Sequence, residues 1–339
     1  MDGGGAQPAQ GVATVSRRDL LCWGLAGTAL ALARGAGAQA FPGRPVRLVV
    51  PFAAGGPADT LARATATALA AQLEGQVLVE NKPGAGGNIA AAYVAGSPPD
   101  GHTLLVAGQA ILAINKALYA SLSYDPEKDF AWVGMMGSFP NVLVSNPEAV
   151  PARSLAELLD LARARPGQIS YGSNGIGSQS HLTVEVMAQV AGVKFLHVPY
   201  QGAAPQRADL LSGRIGFSFI GASTTVPLVR SGQLRALAVS TGTRVAVLPD
   251  APTLVESGFP TLDTPTWFAA VAPAATPAPM LSALRKSFGA AIATSAYAAE
   301  LSKQASLVAN VDAQAAEGLL ARERKVWSDA VRMTGASAG

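Results

Sequence analysis

Residues 46–59, VRLVVPFAAGGPAD, pass from an apolar β-rich run through a break at Pro51 and two glycines into a helical pattern. Apolar residues then recur at roughly helical spacing as far as Leu73. Pro57 suits the first turn of a helix, and Asp59 can cap that helix or complement its dipole. A strand that feeds a helix through a glycine turn leaves the first helical N–H groups pointing outward. The stretch therefore predicts an anion-binding turn that needs no cation.

The same pattern occurs a second time at residues 168–190. Residues 168–171 are predicted as a short strand, residues 172–178, GSNGIGS, as a turn, and residues 181–190 as a helix. Glycines in both turns allow the backbone to approach a ligand closely. Two such turns facing each other could hold the two ends of a small acid, and this is the hypothesis that the rest of the chain has to support.

Strands and helices alternate along the rest of the chain, which predicts an α/β fold with two lobes, each a doubly wound, mostly parallel sheet. In such sheets ligands bind beyond the carboxyl ends of the strands, here in a cleft between the lobes. A late apolar strand, 267–273, is expected to return the chain to the first sheet. The predicted lobes are therefore 41–141 with 267–339, and 142–266.

Two features of the connections between and after the lobes are also predicted. Chain crossings near 142–145 and 267–271 would form a hinge on which the lobes close. From Met280 to Arg332 the pattern is helical, with one interruption near Val308.

The first forty residues are predicted to be an export signal. Residues 16–21, SRRDLL, form a twin-arginine pattern and are followed by an apolar region and then by small residues ending at Ala40. The apolar region is shorter than the roughly 20 residues that a membrane-spanning helix needs. Cleavage is predicted after Ala40, with Ala38 as the alternative, and the mature protein is expected in the periplasm. The choice between the Tat and Sec routes stays open.

Composition excludes several classes of function. The chain has 25 Lys and Arg against 22 Asp and Glu, a net charge of +3, and no basic stripe, which argues against a nucleic-acid partner. Charged residues make up 14% of the chain, below the roughly 25% of ordinary globular proteins. The one cysteine, Cys22, lies in the predicted signal, so disulfides and thiolate metal sites are not expected in the mature protein.

Catalytic machinery is not recognisable in the sequence. The three histidines, His102, His181 and His197, are far apart, and a structural role is favoured for each. His181 and Glu185 are four residues apart on a predicted helix, but the second histidine of a metal-binding pair is missing. The serine in residues 172–175, GSNG, is not in a nucleophile elbow, and no dinucleotide or phosphate-binding loop is complete. We therefore predict no catalytic residue, no metal, no cofactor and no enzymatic activity.

Six ordered motifs resemble those of the Bug family, the periplasmic substrate-binding proteins of tripartite tricarboxylate transporters. They are PFxxGGxxD at 51–59, ENKPGAGG at 80–87, PDGxTLL at 99–105, YGSxGxGSxxHL at 171–182, HVPYxG at 197–202 and LPDxPTxxExG at 248–258. The resemblance runs from Phe41 to about Val331. His102, where the family usually has tyrosine, and Pro57 with Ala54, in place of a common proline at position 54, depart from the pattern.

The resemblance implies a type II periplasmic-binding-protein fold whose two lobes close on a small carboxylate, a di- or tricarboxylate or a related organic acid. It also implies delivery of that ligand to membrane permease subunits, and a monomeric protein. The ligand would be held by backbone N–H groups, hydroxyls and waters. Carried onto this chain, together with positions at strand ends, the expected ligand-binding residues are Phe52, Ala54, Gly55, Gly56, Asp59, Gln109, Ser173, Asn174, Gly177, Ser178, Gly202, Ala203 and Ser223.

Two other functions remain open at this point. A receptor of the same fold could present its ligand to a sensor without transport, and an exported hydrolase would need a nucleophile that the motifs do not supply. Asp59 is also ambiguous, since it could cap its helix or accept a hydrogen bond from the ligand or from water. The sequence does not identify the acid or its affinity.

Overall fold

The computed structural model describes residues 1, 3, 41–303, 306–308 and 311–338. The chain divides into two compact units, Met1–Gly43 and Arg44–Gly339, and the helices and strands given below lie in the second. Apart from Met1 and Gly3, the predicted export signal and its cleavage positions lie outside the described residues. Among the described residues, no helix combines the length and the apolar character that crossing a bilayer requires.

Ten strands within the described residues form two five-stranded sheets, with the orders β2-β1-β3-β10-β4 and β7-β6-β8-β5-β9. The strands are β1 Val46–Val50, β2 Val77–Asn81, β3 Thr103–Gly108, β4 Phe130–Phe139, β5 Asn141–Ser145, β6 Ser170–Ser173, β7 Leu196–Pro199, β8 Phe217–Gly221, β9 Arg235–Val239 and β10 Thr266–Pro273. β10 lies in the first sheet, as predicted for a strand that returns the chain.

The two sheets share one pattern of strand directions. β1 pairs in parallel with β2 and β3, while β10 runs antiparallel to β3 and β4. In the second sheet β6 pairs in parallel with β7 and β8, while β5 runs antiparallel to β8 and β9. In each sheet the reversed strand is the one by which the chain enters from the other sheet. The predicted fold class is confirmed, with one antiparallel strand in each mostly parallel sheet.

Helices connect these strands and cover the sheets. They are α1 Pro57–Leu73, α2 Asn88–Ala95, α3 Asn115–Leu118, α4 Leu155–Ala164, α5 Gln179–Ala191, α6 Ala203–Leu211, α7 Ala222–Arg230, α8 Ala278–Ile292, α9 Ser295–Ser302 and α10 Ala313–Thr334. A 3₁₀ turn, Ala85–Gly87, precedes α2, and a π-helical turn, Ala110–Ile114, precedes α3.

The prediction of a single interruption after Met280 is wrong, because a further break separates α8 from α9. The Thr294 hydroxyl accepts a hydrogen bond from the Tyr297 N–H at 3.2 Å and begins α9 as a new helix. Threonine is a favoured N-cap residue for this reason.

Both sheets bury an apolar core, and the C-terminal helix α10 contributes to each. Leu105 and Trp267 of the first sheet share a cluster of buried residues with Ala316 of α10. Phe217 of the second sheet shares another cluster with Trp327, near the other end of α10. α10 therefore joins the two cores, although the prediction assigns all of 267–339 to the first lobe. The predicted lobe boundaries themselves stay predictions.

The chain passes between the sheets twice, slightly before the predicted positions. The first crossing is Pro140, between β4 and β5, and the second is the segment 264–266, which leads into β10. The Gln109 amide donates to Pro265 O and the Gln179 amide donates to Thr264 O, both at 2.5 Å. One glutamine follows a strand of the first sheet and the other begins α5 on the second sheet, so both sheets hold the second crossing.

Candidate ligand-binding site

The first predicted turn, residues 52–56, is exposed at the carboxyl end of β1. Phe52 to Gly55 are all exposed, and Gly55 has a φ of +85°, a conformation that glycine adopts without strain. α1 begins at Pro57 after Gly56 and has no side-chain cap. Pro57 has no N–H, so the first N–H groups of α1 are those of Ala58 and Asp59, and they lie with the positive end of the helix dipole at the carboxyl end of β1, as an anion site requires.

Asp59 stabilises this turn through its carboxylate. Its carboxylate is buried, with 2% of the residue exposed, and accepts hydrogen bonds from Gly55 N, Asn81 Nδ2 and Arg63 Nε, each at 2.9 Å. Burial opposes ionisation, but the bonds from Arg63, Gly55 and Asn81 outweigh it and lower the pKa of Asp59 to about 2. Of its two possible roles, the geometry favours the structural one, because the carboxylate is already fully engaged.

Asn81 is a site residue that the sequence reasoning missed. At the end of β2 it donates to both Phe52 O, at 3.0 Å, and Asp59 Oδ1. β2 pairs with β1, and β1 ends at the first turn, so Asn81 lies beside the turn that it supports. Its place in the ENKPGAGG motif is the signal that could have identified it.

The second turn differs from the first because its polar groups bond to one another. The N–H groups of Asn174, Gly175 and Gly177 donate to Ser180 Oγ, Ser173 Oγ and His181 Nδ1, each at 3.1 Å. Ser178 caps α5 by accepting from the N–H of His181. The expectation that this turn offers free backbone N–H groups is therefore corrected, since its own side chains use them.

Several predicted residues of the second turn are buried in this arrangement. Ser173 is fully buried, and its hydroxyl lies 2.6 Å from His197 Nε2. Gly177 is also buried, whereas Asn174 and Ile176 are exposed on the turn, Ile176 by 55%. Ile176 was not predicted, although a large apolar residue in a glycine-rich turn is the signal that could have found it. A direct ligand contact for Ser173 or Gly177 stays a prediction.

Close packing links the two turns through the segment that follows β3. A side chain at Gly177 would overlap Leu118 of α3, and one at Gly87 would overlap Ile111 of the π-helical turn. Gly87 also lies against Pro51, the residue that precedes the first turn. Both glycines have positive φ, +73° at Gly177 and +94° at Gly87. Residues 110–118 therefore lie between the first and second turns, and glycine is required at both contacts.

The remaining predicted residues follow neighbouring strands. Gln109 follows β3 and is buried, and its amide bonds to Pro265 O and Trp267 N at the crossing; a ligand contact for Gln109 stays a prediction. Gly202 and Ala203 begin α6 beyond β7, again without a side-chain cap. Ser223 is half-buried in the first turn of α7, beyond β8. Since the order is β7-β6-β8, these residues flank the second turn on both sides.

The two histidines that are distant in sequence lie together behind the second turn. The rings of His181 and His197 stack with their centroids 4.1 Å apart, and Tyr171 stacks on His197 at 4.9 Å. Burial lowers the pKa of His181, and burial with the neighbouring His181 lowers the pKa of His197 to about 4. Both rings are therefore uncharged at neutral pH, which agrees with the structural role predicted for them.

Two five-stranded α/β sheets, each with glycine turns at the carboxyl ends of its parallel strands, form the two-lobed fold typical of solute-binding proteins. Residues 61–335 match the family described as "Tripartite tricarboxylate transporter family receptor". The chain belongs to this family, as the resemblance to the Bug proteins predicted. It is 34% identical over 300 residues to Protein BugT of Bordetella pertussis, covering 88% of this chain and 92% of that protein.

Solved structures show the same similarity. A protein of R. palustris solved with adipate is 33% identical, with a TM-score of 0.79 over 88% of this chain and 99% of that one. The structure of the periplasmic binding protein BugD is 31% identical, with a TM-score of 0.76 over 88% and 99%. MatC from Rhodopseudomonas palustris with bound malate is 31% identical, with a TM-score of 0.75 over 86% and 100%.

Proposed function

We propose that the protein captures a small carboxylate between its two lobes in the periplasm and delivers it to the permease of a tripartite transporter. The observation that carries the proposal is the exposed first turn, whose uncapped helix N-terminus is held in place by Asp59 and Asn81. Family membership supports the same function, since two similar structures were solved with the carboxylates adipate and malate.

In this proposal the two lobes contribute unequally to the ligand. The first lobe presents Phe52, Ala54 and Gly56 with the free N–H groups of α1. The second presents Asn174, Ile176 and Ser178 of its own turn, and the residues of the flanking turns, Gly202, Ala203 and Ser223, complete its surface. Gln109, Ser173 and Gly177 shape the cleft from beneath.

The energetics of such a site are adequate. One helix N-terminus contributes about 0.3–2 kcal/mol to binding an anion, and each charge-assisted hydrogen bond about 1.5–3 kcal/mol. A micromolar dissociation constant needs about −8.2 kcal/mol after the costs of association. The N–H groups of Ala58 and Asp59 together with polar groups of the second lobe, and burial of the ligand on closure, could supply this value without a cationic side chain.

The lobes proposed for closure are 41–141 with 267–339, and 142–266, turning about the crossings at Pro140 and 264–266. The chain is proposed to be exported with cleavage after Ala40, to act as a monomer and to catalyse no reaction. Relatives of this family are receptors, which supports the last point.

The test is thermal unfolding of the protein, refolded to remove bound ligand, against small carboxylates and their neutral amides. An acid at about 100 times its dissociation constant adds about 2.7 kcal/mol and raises the midpoint by several degrees. An acid that shifts the midpoint while its amide does not is the expected result. Shifts by amides alone would contradict an anion site.

Ligand binding by the variant Gly56→Val, with Gly318→Val as its control, tests where the site lies. Gly56 has a φ of −83°, which any residue can adopt, and the nearest atom to a Cβ built there is Ala53 O at 3.8 Å, so the backbone of the turn accepts a side chain. Valine places two methyl groups beside the free N–H groups of α1, and we expect binding to be lost. Gly318 lies exposed on α10 with open space around it, and its valine variant should bind normally.

A further inference from the structure

A stack of aromatic rings packs against the second turn, and one nitrogen atom of each histidine in the stack is hydrogen-bonded to that turn. Gly177 donates its N–H to His181 Nδ1 at 3.1 Å, and His197 Nε2 lies 2.6 Å from Ser173 Oγ. The rings of His181 and His197 are nearly parallel, 21° apart, so each fixes the orientation of the other. One histidine is thus attached near each end of the turn.

We propose that His181 and His197 are the positioning residues of the second ligand turn and set the affinity of the site for its ligand without touching that ligand. The inference rests on the proposed function of that turn. It assigns a specific role to two side chains whose expected role was only structural.

The bond from Gly177 fixes the protonation of His181. A backbone N–H can only donate, so Nδ1 must carry a lone pair and the ring proton must lie on Nε2. A second proton would be added at Nδ1 and would face the N–H of Gly177. Gly177 cannot withdraw, because it packs against Leu118 and has a φ of +73°.

The surroundings of the pair keep both rings neutral. Tyr171 stacks on His197, and its hydroxyl donates a hydrogen bond to Glu185 Oε1 at 2.5 Å. Glu185 is the charged group that acts on His197, and it favours the imidazolium form, but burial and the adjacent His181 outweigh it. The turn therefore keeps its shape through the pH range in which an exposed histidine would titrate.

Paired substitutions separate positioning from packing. His181→Asn offers an oxygen near the place of Nδ1, whereas His181→Leu offers only apolar volume. We expect the Asn variant to bind adipate or malate within about threefold of the unmodified protein, and the Leu variant to bind about tenfold more weakly, because Gly177 N–H then lacks an acceptor. His197→Gln and His197→Met form the second pair, with the same expected order. If the Leu and Met variants bind ligand as tightly as the Asn and Gln variants, the histidine rings only fill space and the proposal is overturned.

Imidazole nitrogen NMR supplies a readout that needs no ligand. The chain has three histidines, so each signal can be assigned by substitution, with His102→Asn as the control. We expect His181 to be in the Nε2–H form with its pKa lowered by burial, and His197, whose pKa is lowered to about 4, to stay neutral from pH 8 to about pH 5.5. An Nδ1–H form of His181, or titration near pH 6.5, would overturn the proposal. If neither acid binds at pH 7.5, the proposed function fails for those acids, while the NMR result still decides the role of the histidines.

Discussion

Replacing Asp59 by asparagine tests whether the first turn depends on a buried negative charge. The variant keeps the shape of the side chain and one acceptor oxygen but loses the charge that bonds to Arg63. The pKa of Asp59 falls from 3.8 in an unstructured chain to about 2 in the fold. This difference corresponds to about 2.4 kcal/mol of stability at neutral pH.

The sign of the pH dependence follows from the lowered pKa. The stabilisation by Asp59 is fully present well above pH 3.8 and is lost as the pH falls through 3.8 towards 2. Relative to the unmodified protein, Asp59→Asn should therefore lose about 2 kcal/mol at pH 7, about half of that at pH 3, and nearly nothing at pH 2. Because Arg63 is exposed, solvent screening makes the loss of stability in Asp59→Asn at pH 7 smaller rather than larger.

The assay is urea unfolding followed by circular dichroism at these pH values, with Asp160→Asn as the matched control. Asp160 pairs with Arg163 at 2.6 Å, but both are exposed, and its variant should stay within about 0.5 kcal/mol of the unmodified protein at pH 7. A deficit of Asp59→Asn that is the same at pH 7 and pH 3 would refute the reasoning, because the lost stability would then not come from the charge. The same variant should weaken ligand binding, since Gly55 is held less firmly.

Two further predictions concern the second turn. Gly177→Ala should destabilise the protein by about 2 kcal/mol in urea unfolding, because the new methyl group overlaps Leu118 and the residue has a positive φ. Adding Leu118→Ala should recover part of that lost stability. Strictly additive losses in the double variant would contradict the overlap. Because the pKa of His197 is lowered from 6.5 to about 4 in the fold, stability should fall by up to about 3 kcal/mol as the pH drops from 6.5 to 4, and His197→Gln should flatten this slope; equal slopes would contradict it.

Periodicity and turn chemistry in the sequence were enough to predict the fold class, since these signals are local. The predicted strand 267–273 differs by one residue from β10, Thr266–Pro273, and the predicted helix 181–190 lies within α5, Gln179–Ala191. The glycine turns were correctly placed after their strands, because glycine between a β-rich run and a helical pattern has few other uses.

The partners of the site residues were not predictable in the same way. Asn81 reaches Asp59 across 22 positions, and Gln109 bonds to Pro265 across 156. Gln109 was predicted as a ligand contact because it follows a strand, and strand-end position does not reveal that a crossing segment will lie within reach of its amide. Likewise nothing local to His197 indicates that its ring will stack on His181.

The unequal chemistry of the two turns indicates an order of events in binding. The first turn is exposed and leads into an uncapped helix, so it can attract an anion without rearrangement. The second turn has already used its N–H groups and presents Asn174 and Ile176 instead. In the proposed closure, a carboxylate docked on the first lobe would meet an amide and an apolar side chain of the second lobe. The common part of the ligand, its carboxylate, would then be recognised by the first lobe, and the part that distinguishes one acid from another by the second.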